Sequence, residues 1–156
     1  MTDMLVKLYA LPDRPPPPPV EAVIRRALAL EKPSVVQWVH RHFGAGWAAE
    51  CETAFARQPA SCFIALRDEK LAGFCVYDST ARGLLGPIGM AAPFQRQGIG
   101  RQLLLATLED MRAQGYAYAV VGWVESETFF QRAAGATPIP GSDPGLYRGM
   151  LIDSEL

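Results

Sequence analysis

From Met4 to Leu11 apolar and polar residues alternate weakly, which predicts a short strand. Asp13, Arg14 and an unbroken run from Pro15 to Pro19 follow, and consecutive prolines, lacking N–H donors, favour a stiff extended spacer. Val20 to Leu28 again reads as a strand. Ser34 stands at a predicted N-cap, and Val35, Val36, Val39 and Phe43 share one face at helical spacing. Gly44-Ala-Gly46 ends that helix, and Trp47 opens a second that runs to about Arg57, before Pro59. Cys62–Leu66 and Leu71–Tyr77 form a hairpin about the polar turn Arg67–Lys70, and a further strand covers Leu84–Met90. The clearest helix spans Gly98–Arg112, with Ile99, Leu103, Leu104, Leu108 and Met111 in one stripe and Gly115 as its stop. Tyr116–Val124 is nearly continuous in apolar residues, as expected of a strand buried on both faces. A short helix over Thr128–Ala134 ends at Gly135, and two strands are expected near Ala136–Ile139 and Leu146–Ile152. The order predicts an α/β (α+β) fold built on a mixed sheet. It divides the chain into an N-terminal strand and polyproline spacer, 1–19, and one domain, 20–156. A strand set apart by prolines needs a sheet edge, its own or a second chain's, and the latter would give a homodimer.

Charge and composition narrow the function. The formal net charge is only −1, which argues against a nucleic-acid partner, whose binding would need a basic patch or stripe. No apolar run approaches the ~18 residues needed to span a bilayer, and the first residues lack the pattern of a secretory signal. Cys51, Cys62 and Cys75 are widely spaced with no CxxC, so they read as buried thiols in a reducing, cytoplasmic setting. His40 and His42, two apart on a helix, point in different directions and cannot clasp one metal. No metal site is expected.

The chemistry concentrates where the strand Leu84–Met90 runs through a short polar loop into the long helix. Gln95-Arg-Gln-Gly-Ile-Gly100 sits on that junction. Glycines there let backbone N–H groups approach a ligand, and the helix N-terminus favours a phosphate or pyrophosphate. Arg96 and Arg101 add charge to the same place. A dinucleotide-binding fold usually has such glycines in its first strand–helix unit and carries a third one; here they come late and the third is missing.

Gln95–Gly100, with Met90 ending the strand before it, resembles the acetyl-CoA motif of the GNAT superfamily of N-acetyltransferases. Glu125–Gly135 is similar to that superfamily's second contact region, and the likeness runs from about Val20 to Leu151. Arg25-Arg-Ala-Leu28, Trp38-Val39, Gly46-Trp47, Gly73–Asp78, Leu85-Gly-Pro87 and Gly141–Tyr147 resemble a subgroup of bacterial GNAT proteins without a well-defined substrate. The resemblance implies a GNAT-like mixed, largely antiparallel sheet flanked by helices, with acetyl-CoA as the co-substrate and the backbone at Met90 binding the pantetheine arm. It implies further that Gln95, Arg96, Gln97, Gly98, Ile99, Gly100 and Arg101 hold the pyrophosphate. The acetyl group would sit where the strands Leu84–Met90 and Tyr116–Val124 splay apart. Gly86, Pro87, Gly89 and Gly122 suit that opening, since Pro and Gly in strands mark bulges or close ligand approach.

The implied reaction is direct transfer of an acetyl group to a small-molecule or peptide amine. The family pattern places a tyrosine, the proton donor to the departing thiolate, where this chain has Phe130, a cofactor-side residue without a hydroxyl. Either another group donates, or the thiolate leaves unaided. For the base, Glu50 on the second helix and Asp78 at the end of the hairpin are the candidates, with Glu125 and Glu127 behind them; Trp47 and Tyr147 are candidate acceptor-pocket walls. A non-catalytic acyl-CoA-binding or sensing domain, and a nucleotide-binding module of another α/β type, are the rival readings.

Overall fold

The computed structural model describes residues 1–14, 16 and 21–152. Seven strands form one sheet: β1 (Thr2–Lys7), β2 (Val23–Arg26), β3 (Cys62–Arg67), β4 (Lys70–Tyr77), β5 (Leu84–Met90), β6 (Tyr118–Val124) and β7 (Thr137–Pro138). Four helices accompany them: α1 (Lys32–Phe43), α2 (Ala45–Phe55), α3 (Ile99–Ala113) and α4 (Glu127–Ala134). The strand order is β2-β3-β4-β5-β6-β1-β7, antiparallel throughout except between β5 and β6. The sheet is mixed and largely antiparallel, with helices on both faces and open edges at β2 and β7.

The hairpin β3–β4 turns on Asp68 and Glu69, both at positive φ, as a two-residue turn between twisted strands requires. Each face of the sheet carries a core. On one, α3 and α4 bury Leu103, Leu104, Leu108, Met111 and Phe130 against Leu85, Ala119 and Val121. On the other, α1 and α2 bury Val35, Trp38, Val39 and Cys51 against Ile64, Phe74 and Val76.

Four expectations change. Ser34 lies inside α1 rather than at its cap: the helix begins at Lys32 after Glu31, and Pro33 fits the first turn because its missing N–H would have no partner there. The strand Tyr116–Val124 starts at Tyr118 and is not buried on both faces, since α1 and α2 pack chiefly on β3 to β5 and leave Tyr118 and Trp123 exposed. No strand forms over 146–152; a short 3-10 turn covers Gly145–Tyr147 instead. The strand expected over Met4–Leu11 occupies Thr2–Lys7, is not at an edge, and pairs within its own sheet between β6 and β7. Val20 and the polyproline run, apart from Pro16, lie outside the described residues.

Candidate active site

β5 and β6 are paired only at Leu84↔Val120 and Leu85↔Val121. Past that point they diverge, and the β6-facing backbone groups of β5 from Gly86 to Met90 have no ladder partner among the described residues. Gly86, at φ +131, adopts a backbone that suits no other residue well, and it sits where the divergence starts. The register of β4 against β5 is also broken between Cys75 and Tyr77, where Gly86 and Pro87 together oppose Val76 in a bulge. The result is a V-shaped opening through the sheet.

At the far end of β5 the chain forms a cradle. Arg96 (φ +60) and Gly98 (φ +81) turn successive amides inward, and Gly98 caps α3. The first intrahelical bond runs from the Gln102 N–H to the Gly98 carbonyl at 3.3 Å, so the N–H groups of Ile99, Gly100 and Arg101 precede the helical ladder. Gln95 Nε2 donates to the Met90 carbonyl at 3.1 Å, and Arg67 fixes Gln97 through a 2.5 Å bond to its Oε1. Arg101 Nε is buried without a hydrogen-bond partner among the described residues. A Cβ added at Gly100 would lie 3.4 Å from Met90 Cγ and 4.0 Å from Phe129 Cζ, so this glycine keeps open a slot between those two side chains.

The opposite mouth of the V is aromatic and acidic. Phe43, ending α1, lies over Gly89: a Cβ there would come within 2.6 Å of its ring. Trp47 stacks on Phe43 with centroids 4.9 Å apart. Across the opening, the Tyr147 hydroxyl stands 3.1 Å from where a Gly122 Cβ would be, and its ring stacks on Trp123 at 4.6 Å. Glu50, half-buried on α2, accepts a hydrogen bond from the Thr80 hydroxyl, while Ser79 donates to its backbone carbonyl at 2.8 Å. Burial raises the Glu50 carboxyl above its ordinary value, with Thr80 opposing part of the shift. The Tyr147 phenol is raised too, by burial first and then by the carboxylates of Glu50 and Asp3.

This combination of a parallel pair that splays and a glycine cradle at a helix start is matched at the level of sequence. The profile described as "Acetyltransferase (GNAT) family" matches residues 30–135, more than half of the chain. The chain belongs to the GNAT acetyltransferase family. Among solved structures, a GCN5-related N-acetyltransferase from Sphaerobacter thermophilus is similar at TM-score 0.62 and 18% identity, over 88% of this chain and 48% of that one. A GCN5-related glucosamine N-acetyltransferase region of a fungal multi-domain β-N-acetylglucosaminidase aligns at TM-score 0.68 and 13% identity, over 88% of this chain and 19% of that one. This GNAT chain thus spans about half the length of the first and a small part of the second. A GNAT acetyltransferase from Brucella melitensis in complex with acetyl-CoA aligns at TM-score 0.54 and 19% identity, over 76% of this chain and 87% of that one. The search of curated proteins found no significant match.

Acetyl-CoA is the co-substrate of the GNAT family. The cradle fits it: amides ahead of the helical ladder and the orphaned Arg101 Nε suit a pyrophosphate, and the slot at Gly100 leads towards Met90. Met90 and residues 95–101 are therefore brought together. Phe130 is buried in the core cluster that also holds Ile99, with its ring edge-on to Phe129 at 5.0 Å. Phe129, passed over in the sequence, is the aromatic facing Gly100. Glu50 and Asp78 are kept apart. Asp78 Oδ1 accepts from the Gly83 N–H at 2.7 Å, and Oδ2 accepts from the Tyr116 hydroxyl at 2.6 Å with Arg57 at 3.5 Å. It lines a cleft of about 300 Å³ with Arg57 and Tyr116, beyond the paired end of β5. Tyr77 is likewise committed, donating to Asp110 at 2.5 Å.

Sequence reading also missed Asp3. Gly122 and Trp123 together oppose this one residue, because Thr2 pairs with Val124 and Met4 with Val121. Asp3 Oδ1 accepts the bulged Trp123 N–H at 2.9 Å. A glycine inside an apolar strand was the available signal for the bulge.

Proposed function

We propose that this protein is an N-acetyltransferase that moves the acetyl group of acetyl-CoA directly to an amine, with Glu50 as the base and Tyr147 as the proton donor. The observation that supports this most is the V itself, with a pyrophosphate cradle at one end and, at the other, a half-buried carboxylate in no ion pair among the described residues. Acetyl-CoA supplies an acetyl thioester, whose C–S bond breaks as the amine's N–C bond forms.

An ammonium is not nucleophilic, so the chain must first remove a proton. Glu50 receives it at a carboxylate whose raised pKa makes it a better base than a solvated glutamate. The unpaired edge of β5 offers backbone donors to an oxygen that gains negative charge, and fixed donors of this kind supply much of the rate in acyl transfer. Tyr147 keeps its proton at Oη near neutral pH, because burial and two nearby carboxylates oppose its ionisation. Its hydroxyl overlies Gly122 and has no hydrogen-bond partner among the described residues, so it stands in for the phenol that Phe130 lacks. Asp78, with both oxygens engaged, holds the β4–β5 connection. The three free, buried cysteines fit a protein of the reducing cytoplasm.

The test is release of free thiol from acetyl-CoA in the presence of a panel of primary amines. Glu50→Gln should lower turnover by about 10²–10⁴-fold, the usual worth of a positioned base, while calorimetric CoA affinity stays unchanged. Turnover that survives the substitution would remove Glu50 from the mechanism.

A further inference from the structure

Trp123 is held in an unusual way. Its φ is +54, in the left-handed region that a bulky residue rarely occupies, and strain of this kind persists only where neighbours enforce it. The enforcing group is Asp3, buried on β1, which takes the N–H that the bulge would leave unpaired. A bulge re-aims the side chain it carries. Here it lays the indole flat on Tyr147, with ring planes 17° apart, at the mouth of the V. The facing wall is built the same way: Trp47 lies on Phe43 with planes 29° apart. Trp47 and Trp123 remain 37% and 38% exposed, so each indole keeps a face open for a further ring.

Two acidic groups stand at this mouth. Glu50 stands on α2 and Asp3 behind the Trp123–Tyr147 pair, and no arginine or lysine pairs with either among the described residues. An ammonium is favoured beside aromatic faces and a carboxylate. A carboxylate on the carbon next to the amine, as in an amino acid, would be brought against the carboxylate of Glu50.

Resting on the acetyl-transfer reading, we propose that the acceptor is a primary arylalkylamine without a carboxylate. Its ring is held by the Phe43–Trp47 and Trp123–Tyr147 pairs, and its ammonium is directed to Glu50. Asp3 is a positioning residue that acts through Trp123.

Phenethylamine and tryptamine serve as probes against phenylalanine, butylamine and glucosamine, with thiol release as the assay. The arylalkylamines should show kcat/KM at least ~10-fold above all three comparators, the scale of discrimination that an apolar pocket supplies. Trp123→Ala should raise KM for phenethylamine about tenfold and leave that for butylamine within about twofold, with Trp123→Phe restoring most of the loss. Asp3→Ala should do the same more weakly. Adding phenethylamine to the CoA-bound protein should quench tryptophan fluorescence, a reading independent of turnover. A preference for glucosamine or phenylalanine overturns the acceptor class while leaving acetyl transfer standing, as does an equal effect of Trp123→Ala on phenethylamine and butylamine. A protein that binds CoA yet acetylates no amine overturns both readings.

Discussion

At Glu50 function and stability pull in opposite directions. Burial raises its carboxyl, so the folded protein binds that proton more tightly than the unfolded chain does. The group therefore favours folding below the ordinary carboxylate range, and that contribution is lost as pH rises through the raised folded value. Glu50→Gln, which has no charge to desolvate, should melt at or above the wild-type temperature at pH 7, with the difference vanishing near pH 4. Thermal melts of both proteins at the two pH values check this, and a variant less stable at pH 7 would contradict it. In the active protein, kcat/KM should rise through one ionisation lying above the usual carboxylate range, and fall only beyond pH ~10, where a raised tyrosine begins to ionise. Glu50 was legible in the sequence as a carboxylate on the helix roofing the acceptor side. Asp3 was not, because the N–H it accepts belongs to a residue 120 positions away and no local pattern connects the two.

The element proposed to carry the co-substrate is the β5–loop–α3 unit. Its limits were readable within a residue or so: the strand at Leu84–Met90, and the helix at Gly98–Arg112 against the observed Ile99–Ala113. Strong apolar periodicity and glycine stops make such a unit self-declaring. Elements whose burial depends on distant packing were read less well. The apolar run of β6 suggested two covered faces, yet its end near Tyr118 and its bulge at Trp123 lie beyond the reach of α1 and α2. In the same way the apolar residues Leu146, Met150, Leu151 and Ile152 suggested a strand but stay exposed. At Gly100 the added Cβ of a larger residue is in ordinary contact with its neighbours, whereas further methyls would fill the slot towards Met90. Gly100→Val should therefore leave the melting temperature within a few degrees of wild type and weaken CoA binding by tenfold or more, a loss of at least ~1.4 kcal/mol. Calorimetry showing unchanged affinity would mean that the co-substrate does not use this slot.

Across the whole molecule, β1 joins the sheet's far edge to its centre. Met4, Val6 and Leu8 are fully buried in the core beneath α3, so β1 is structural rather than an appendage. Met4→Ala should cost ~2–5 kcal/mol, as large-to-small changes in a packed core do, seen as a lower denaturant midpoint. Removing residues 1–11 should abolish cooperative unfolding, because β6 would lose its antiparallel partner and β7 its only one among the described residues. A truncated protein with an intact thermal transition would show that β2 to β6 suffice. Among the described residues no helix is long and apolar enough to cross a membrane.

The position of β1 also sets a timetable for synthesis. Among the described strands β1 is made first, and it pairs with one whose residues lie more than a hundred positions later. At about 5–20 residues per second, β1 waits on the order of ten seconds for its partner. In that interval the β2-to-β5 meander can close on α1 and α2, since each of its strands follows its neighbour in the chain. The nascent protein is therefore half a sheet with a loose, apolar leading segment, and it is at this stage that a chaperone would find its binding sequence in Met4, Val6 and Leu8.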